Sequence, residues 1–67
     1  QSWQLGNPQQ VKAIQAALNT MGYNAGTPDG ILGAGTAAAI REYQSDTGLA
    51  ATGHVTQELI EQLNEGA

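Results

Sequence analysis

A glycine-rich segment at residues 29–36 separates two helix-forming stretches and constrains the fold more than any other feature. It reads DGILGAGT, and a shorter version returns at residues 52–56 as TGHVT. The sequence Thr-Pro-Asp-Gly at residues 27–30 is typical of a tight turn, since proline presets one dihedral angle and glycine permits positive φ. A tight turn fixes the angle between the elements that it joins. The sequence therefore predicts helices connected by rigid turns.

The first helix is predicted at residues 8–21. Asn7 is a suitable N-cap, Pro8 suits the first helical position, and Gln10 stands where a capping box places its acceptor. Gly22 is the expected left-handed residue after the last turn. Apolar side chains recur between these ends at spacings of three or four residues, as on one face of a helix: Val11, Ile14, Leu18 and Met21.

The second helix is predicted to begin at residue 33 or 34 and to run to about Thr47, where Gly48 can end it. The turn before it contains Ile31 and Leu32. Because these side chains are too apolar to be left in water, we expect both to plug the core.

The third helix is predicted to be short, covering about residues 57–63 behind Thr56 as N-cap. The tail at residues 64–67 is expected to fray. With no strand pattern in the chain, the predicted fold class is all-α: a compact three-helix bundle with Gly-rich connecting turns.

The size of the chain limits it to one domain. With 67 residues it lies near the lower limit for folding without a disulfide or a metal, and it has no cysteine. We expect residues 1–67 to form a single domain with its core at about residues 5–63. The chain lacks an initiator Met, as a processed chain or an excised domain would, and because a domain of this size is seldom free, we expect it to be part of a larger protein.

The charge balance disfavours polyanionic partners. The net charge is −4, and Lys12 and Arg41 are the two cations. Nucleic-acid binding and anionic membrane surfaces both need clusters of Lys and Arg, so neither is expected. No apolar run approaches the ~20 residues of a membrane span, so no membrane insertion is expected.

No catalytic or metal-binding set can be assembled from the sequence. His54 is the one histidine, so no histidine pair is available for zinc or for acid–base chemistry. Residues 33–38 fit a loose G-x-G-x-x-A dinucleotide pattern but lack the preceding strand. We expect no enzyme activity, no cofactor and no metal.

Five segments form an ordered pattern: VKAIQAAL at residues 11–18, MGY at 21–23, DGILGAGT at 29–36, AIREYQSDTGL at 39–49 and TGHVT at 52–56. In this order they resemble the peptidoglycan-binding domain family, whose members are three-helix modules attached to bacterial and phage cell-wall enzymes. The resemblance covers about residues 5–63. Leu32 departs from the pattern, because the family usually has an aromatic residue there.

The resemblance implies a function. The chain is expected to bind bacterial peptidoglycan without catalysis, through its glycan or its stem peptide. It would anchor an attached hydrolase or envelope protein to the wall, in the cell envelope or outside the cell. The alternative on the same fold is a protein-interaction or intramolecular regulatory module that docks through an Ala-rich helix face. A structural spacer is a third possibility.

A groove between the turn at residues 29–33 and the second helix is the expected ligand site. Asp29 can accept hydrogen bonds from a glycan hydroxyl or a stem-peptide amide, although bonding to the amides of its own turn is the favoured reading. Gly30 and Gly33 are expected at positive φ. Eight residues form the candidate ligand-binding set: Tyr23, Asp29, Gly30, Leu32, Gly33, Arg41, Tyr43 and Gln44.

The other members of the set also have structural alternatives. Tyr43 falls on the core stripe of the second helix and is expected to be buried, with its hydroxyl at the edge, whereas Tyr23 is the better ligand candidate. Trp3 is expected to pack on the fold as an N-terminal lid. Arg41 and Gln44 can reach a stem-peptide carboxylate or carbonyl, but a solvated helix face, with Arg41 paired to an acid, is favoured.

Overall fold

Three α-helices make up the fold. The computed structural model describes residues 6–66, and its helices are α1 (Pro8–Thr20), α2 (Ala34–Asp46) and α3 (Gln57–Gly66). No strand occurs within residues 6–66. Helix α1 contacts both α2 and α3. The predicted all-α three-helix bundle is confirmed.

The helix starts follow from local capping. Asn7 Oδ1 accepts a hydrogen bond from the N–H of Gln10 at 2.8 Å, as an N-cap should. Gln10 Oε1 in turn accepts from the N–H of Gly6 at 2.6 Å, one residue before the position that a standard capping box uses. Thr56 Oγ1 accepts from the N–H of Leu59 at 3.1 Å, so the predicted cap of α3 is confirmed.

Helices α1 and α2 end with the same backbone motif. After α1, the N–H of Tyr23 donates to the carbonyl of Leu18 at 2.8 Å, and the N–H of Gly22 donates to that of Asn19 at 3.1 Å. Gly22 has φ of 96°, the left-handed conformation of a Schellman cap. The same pair of bonds closes α2 around Gly48. Both predicted stops are confirmed.

The core draws on all three helices. Leu18, Ile40 and Leu59, one from each helix, are completely buried. The full buried cluster is Ile14, Leu18, Ala25, Ala39, Ile40, Tyr43, Leu59 and Leu63.

The predicted burial of Ile31 and Leu32 is wrong. Their exposed fractions are 67% and 42%, and Met21, the last residue of the predicted α1 stripe, is 40% exposed. The loop contributes the small Ala25 to the core instead, at 2% exposure. The reason lies in the backbone of the turn: its polar groups face inward onto a buried side chain, so its own side chains face outward.

Helix α3 continues to Gly66, three residues beyond its predicted end at about residue 63, so that predicted end is wrong, whereas fraying of the tail stays a prediction. Leu59 and Leu63 anchor the middle of this helix in the core, and the last turn extends from them. Residue 67 and the predicted lid residue Trp3 lie outside the described residues.

We predict that Gly30→Ala destabilises the fold far more than Gly22→Ala. Both glycines have positive φ, which costs an alanine about 1 kcal/mol or more. A Cβ at Gly30 would in addition lie 2.7 Å from the carbonyl oxygen of Pro8, whereas one at Gly22 meets nothing within 4 Å. Overpacking against rigid backbone adds about 1–3 kcal/mol at Gly30 alone.

Urea unfolding followed by circular dichroism measures the difference between the two variants. Equal losses of unfolding free energy would show that the approach of the turn to Pro8 is not rigid.

A candidate ligand-binding site beside a clamped turn

Gln15 on α1 organises the predicted site, although its side chain is 1% exposed. Its Oε1 accepts a hydrogen bond from the N–H of Gly30 at 3.0 Å. Its Nε2 donates to Thr36 Oγ1 at 2.8 Å and to the carbonyl of Ile31 at 3.0 Å. Asp29 Oδ1 lies 3.3 Å from the same nitrogen. One carboxamide from α1 therefore holds the turn against the first residues of α2.

The side chain of Asp29 hydrogen-bonds to the backbone of its own turn, as the sequence analysis favoured. Its Oδ1 accepts a hydrogen bond from the N–H of Ile31 at 2.9 Å. This bond and the Gln15 amide both stabilise the charged form, so they hold the pKa of the Asp29 carboxyl below its usual range. Asp29 is exposed. An ionised oxygen is thus available to a ligand.

A cavity of about 220 Å³ lies between this turn and the start of α2, where the ligand groove is predicted. Helix α2 begins at the N-cap Gly33 without a side-chain cap, so N–H groups of its first turn are not satisfied within the helix. A Cβ at Gly33 or Gly35 would meet nothing within 4 Å, so the cavity is open there. Its lining residues are Gln15, Ala25, Gly26, Thr27, Asp29, Ile31, Gly33, Gly35 and Thr36.

The two glycines of the candidate set differ in conformation. Gly30 has φ of 82°, as predicted. Gly33 has φ of −93° and ψ of −173°, so the prediction of positive φ is wrong there. An N-cap residue requires extended backbone, and Gly33 occupies that position. Because Gly33 has no side chain, the cavity is open at this position, whereas the conformation of the turn does not require a glycine there.

The two tyrosines of the candidate set lie away from the cavity and pack edge-on against each other. Their ring centroids are 5.5 Å apart, with the planes at 90°. Tyr43 is 4% exposed, as expected for a residue on the core stripe. The hydroxyl of Tyr23 donates to Asp46 Oδ2 at 2.7 Å, and this bond is the main cause of the raised pKa of Tyr23. Neither ring lines the cavity.

Arg41 and Gln44 behave differently from each other. Arg41 is exposed, as predicted, but the expected pairing with an acid is wrong within residues 6–66. Gln44 is not on a solvated face: it is 1% exposed, and its Oε1 accepts from the N–H of Gly53 at 2.9 Å. Its bonding capacity is used inside the protein.

Sequence reasoning missed the structural role of both buried glutamines. One signal was present: each directly follows a core residue within a helix, as Ile14–Gln15 and Tyr43–Gln44. A polar residue beside an apolar stripe is easily assigned to solvent. Its burial depends on a loop that returns to it from 15 or 9 residues further along the chain.

A separate, more apolar cavity of about 280 Å³ lies between α1 and α3, and none of the candidate residues lines it. Its lining residues are Gln10, Ala13, Ile14, Ala17, Ile60, Leu63 and Asn64.

Within residues 6–66, no group of three or more metal-ligating side chains is placed to hold an ion. No helix in this range has the length and apolarity to cross a bilayer.

The fold and the site together define a small all-α module with an open cavity beside a rigid turn. A family model described as putative peptidoglycan binding domain matches residues 7–63, and the chain belongs to that family. No curated protein and no solved structure gives a match. The matched range includes α1, α2, both turns and the first seven residues of α3.

We predict that Gln15→Leu lowers the free energy of unfolding by about 1–3 kcal/mol, because the Gly30 N–H and the Ile31 carbonyl lose their buried partner. Gln9→Leu is the matched control, since Gln9 is exposed on the same helix. Urea unfolding measures both variants. Similar effects at the two positions would show that the clamp contributes nothing.

We also predict that Asp29 contributes to acid sensitivity. A carboxyl whose pKa is lowered in the folded state stabilises the protein above its unfolded pKa, and this stability is lost as pH falls through the folded pKa. The stability difference between the wild type and Asp29→Asn should therefore shrink as pH falls below about 4. Urea midpoints at a series of pH values test this, with Glu42→Gln as an exposed control. A difference independent of pH would contradict it.

Proposed function

We propose that this chain binds bacterial peptidoglycan through the cavity beside residues 29–36, without catalysing a reaction. Family membership is the observation that carries the proposal. The cavity supports it, because it lies beside a turn that belongs to the family pattern and has polar groups available to a ligand. Binding sites commonly combine a concave surface with a few such groups.

The polar groups of the cavity suit a ligand amide. Asp29 offers an ionised oxygen as acceptor, and the first turn of α2 near Gly35 offers backbone N–H groups as donors. An amide group can donate to the carboxylate and accept from the backbone. Peptidoglycan has such groups in its N-acetyl sugars and in its stem peptides. A free carboxylate fits less well because Asp29 repels it.

An apolar edge adjoins these polar groups. Ile31 lines the cavity while remaining 67% exposed, and Leu32 beside it is 42% exposed. In the proposal they cover the apolar face of a sugar ring or a small side chain of the stem peptide. Gly30, Tyr43 and Gln44 then act by maintaining the fold.

Tyr23 and Arg41 are proposed as outer contacts for a longer polymer. Tyr23 is half-buried and Arg41 is exposed, and both lie outside the cavity.

We further propose that the module anchors an attached hydrolase or envelope protein to the wall, in the cell envelope or outside the cell. Weak binding at one site suffices for this, because tethering to a polymer raises the effective concentration.

Co-sedimentation with purified, protein-free sacculi, at physiological and at high salt, tests the binding. We expect the chain to pellet at both salt concentrations, because hydrogen bonds and packing are less screened than surface charge. Gly35→Gln should weaken binding by about tenfold or more, because it fills the cavity and blocks one or two hydrogen bonds. Ala38→Gln is the matched control, since it adds the same side chain to an exposed position of α2 outside the cavity.

Circular dichroism must show that both variants remain helical. If the wild type stays in the supernatant at high concentration, autonomous wall binding is excluded, and the alternative of a protein-interaction or regulatory module is favoured. If Gly35→Gln and Ala38→Gln bind equally well, the ligand does not occupy this cavity.

A further inference from the structure

The connection between α2 and α3 repeats the clamped turn. Gln44 Oε1 accepts from the N–H of Gly53 at 2.9 Å, and Gln44 Nε2 lies 3.3 Å from Thr52 Oγ1 and 3.5 Å from the carbonyl of His54. Thr52 Oγ1 also accepts from the N–H of His54 at 3.1 Å. The buried Gln44 thus holds the turn at residues 52–54. The side chain of Thr52, the first residue of this turn, closes it.

Each of these contacts has a counterpart in the first turn. Gln15 binds the turn at residues 29–31 as Gln44 binds the turn at residues 52–54: it accepts from the glycine, contacts the side chain before it, and reaches the carbonyl after it. Gly30 and Gly53 have φ of 82° and 75°. The weak sequence echo between the two segments is therefore a duplication of one structural unit.

A cavity accompanies the second turn as it does the first. Its volume is about 220 Å³, equal to that of the first. In both, one wall is the clamping glutamine and another is the residue before the glycine. The second cavity is lined by Gln44, Leu49, Ala50, Thr52, Thr56 and Glu58. We propose that it is a second binding site for the same polymer, an inference that rests on the proposed function of the first.

The lining of the second cavity again suits an amide-bearing ligand. Thr52 Oγ1 accepts two bonds from the protein, so its hydroxyl proton is available to a ligand carbonyl. Glu58 is exposed and can accept from a ligand N–H. Leu49 and Ala50 form an apolar wall. In the second cavity the hydrogen-bond donor is the Thr52 hydroxyl, whereas in the first cavity the donors are backbone N–H groups. The two sites should therefore differ in affinity.

Two sites on one small module allow bivalent binding. The longest extent of the protein is 32 Å, so the two cavities lie no further apart than this. In the proposal, one glycan strand with its stem peptides, or two neighbouring strands, occupies both cavities. The second contact is then intramolecular, and the combined affinity exceeds that of either site by about 10²-fold or more.

Amide-detected NMR titration with a soluble disaccharide–tetrapeptide fragment tests the second site. We expect shifts near Gly35 and Thr36 and a separate set near Ala50 and Thr52, with a different concentration dependence. Ala50→Gln, which adds a side chain at an exposed position of the second cavity, should abolish the second set and preserve the first. Gly35→Gln should do the reverse.

Binding to intact sacculi provides the second measurement. Ala50→Gln and Gly35→Gln should each lower the apparent affinity by about 10²-fold relative to the Ala38→Gln control, because each leaves a single site. If fragment shifts occur only near the first cavity and Ala50→Gln pellets like the control, the second site is refuted and the proposed function stands. If no shifts and no pelleting occur, both fail together.

Discussion

Burial of a glutamine carboxamide beneath each turn is the interaction on which the rest of this fold depends. A tight turn has backbone N–H and carbonyl groups that no helix satisfies, and in a small domain some of them must face the core. The side-chain amide of Gln15 carries both a donor and an acceptor, so it satisfies the N–H of Gly30 and the carbonyl of Ile31. The cost of burying the amide is thereby offset, and no buried side-chain polar atom within residues 6–66 lacks a partner.

The helices could be predicted from the sequence because their signals are local. The cap at Asn7, the stop at Gly22 and the spacing of the apolar residues all act within one or two turns, and the structure has each of them. The orientation of the turn could not be predicted in this way. Ile31 and Leu32 face outward because Gln15 draws the backbone inward, and that contact joins residues that are far apart in sequence.

The candidate site was predictable in place but not in composition. A cavity lies where the turn at residues 29–33 meets α2, and Asp29 and Gly33 line it. Tyr43 and Gln44 carry polar groups that look available in the sequence, but burial removes both from the surface. Whether a side chain reaches solvent depends on tertiary packing, so a list of chemically suitable residues includes structural ones.

In each turn, the glutamine that supports the backbone is distinct from the side chains that face solvent, and this has an evolutionary consequence. The buried glutamine that holds each loop belongs to a helix, so outward side chains such as those of Ile31, Leu32 and His54 have little to do with folding. They can be exchanged with small effects on stability. One scaffold can therefore present many different surfaces, and duplicating the supported loop gives it two places at which recognition can diversify independently.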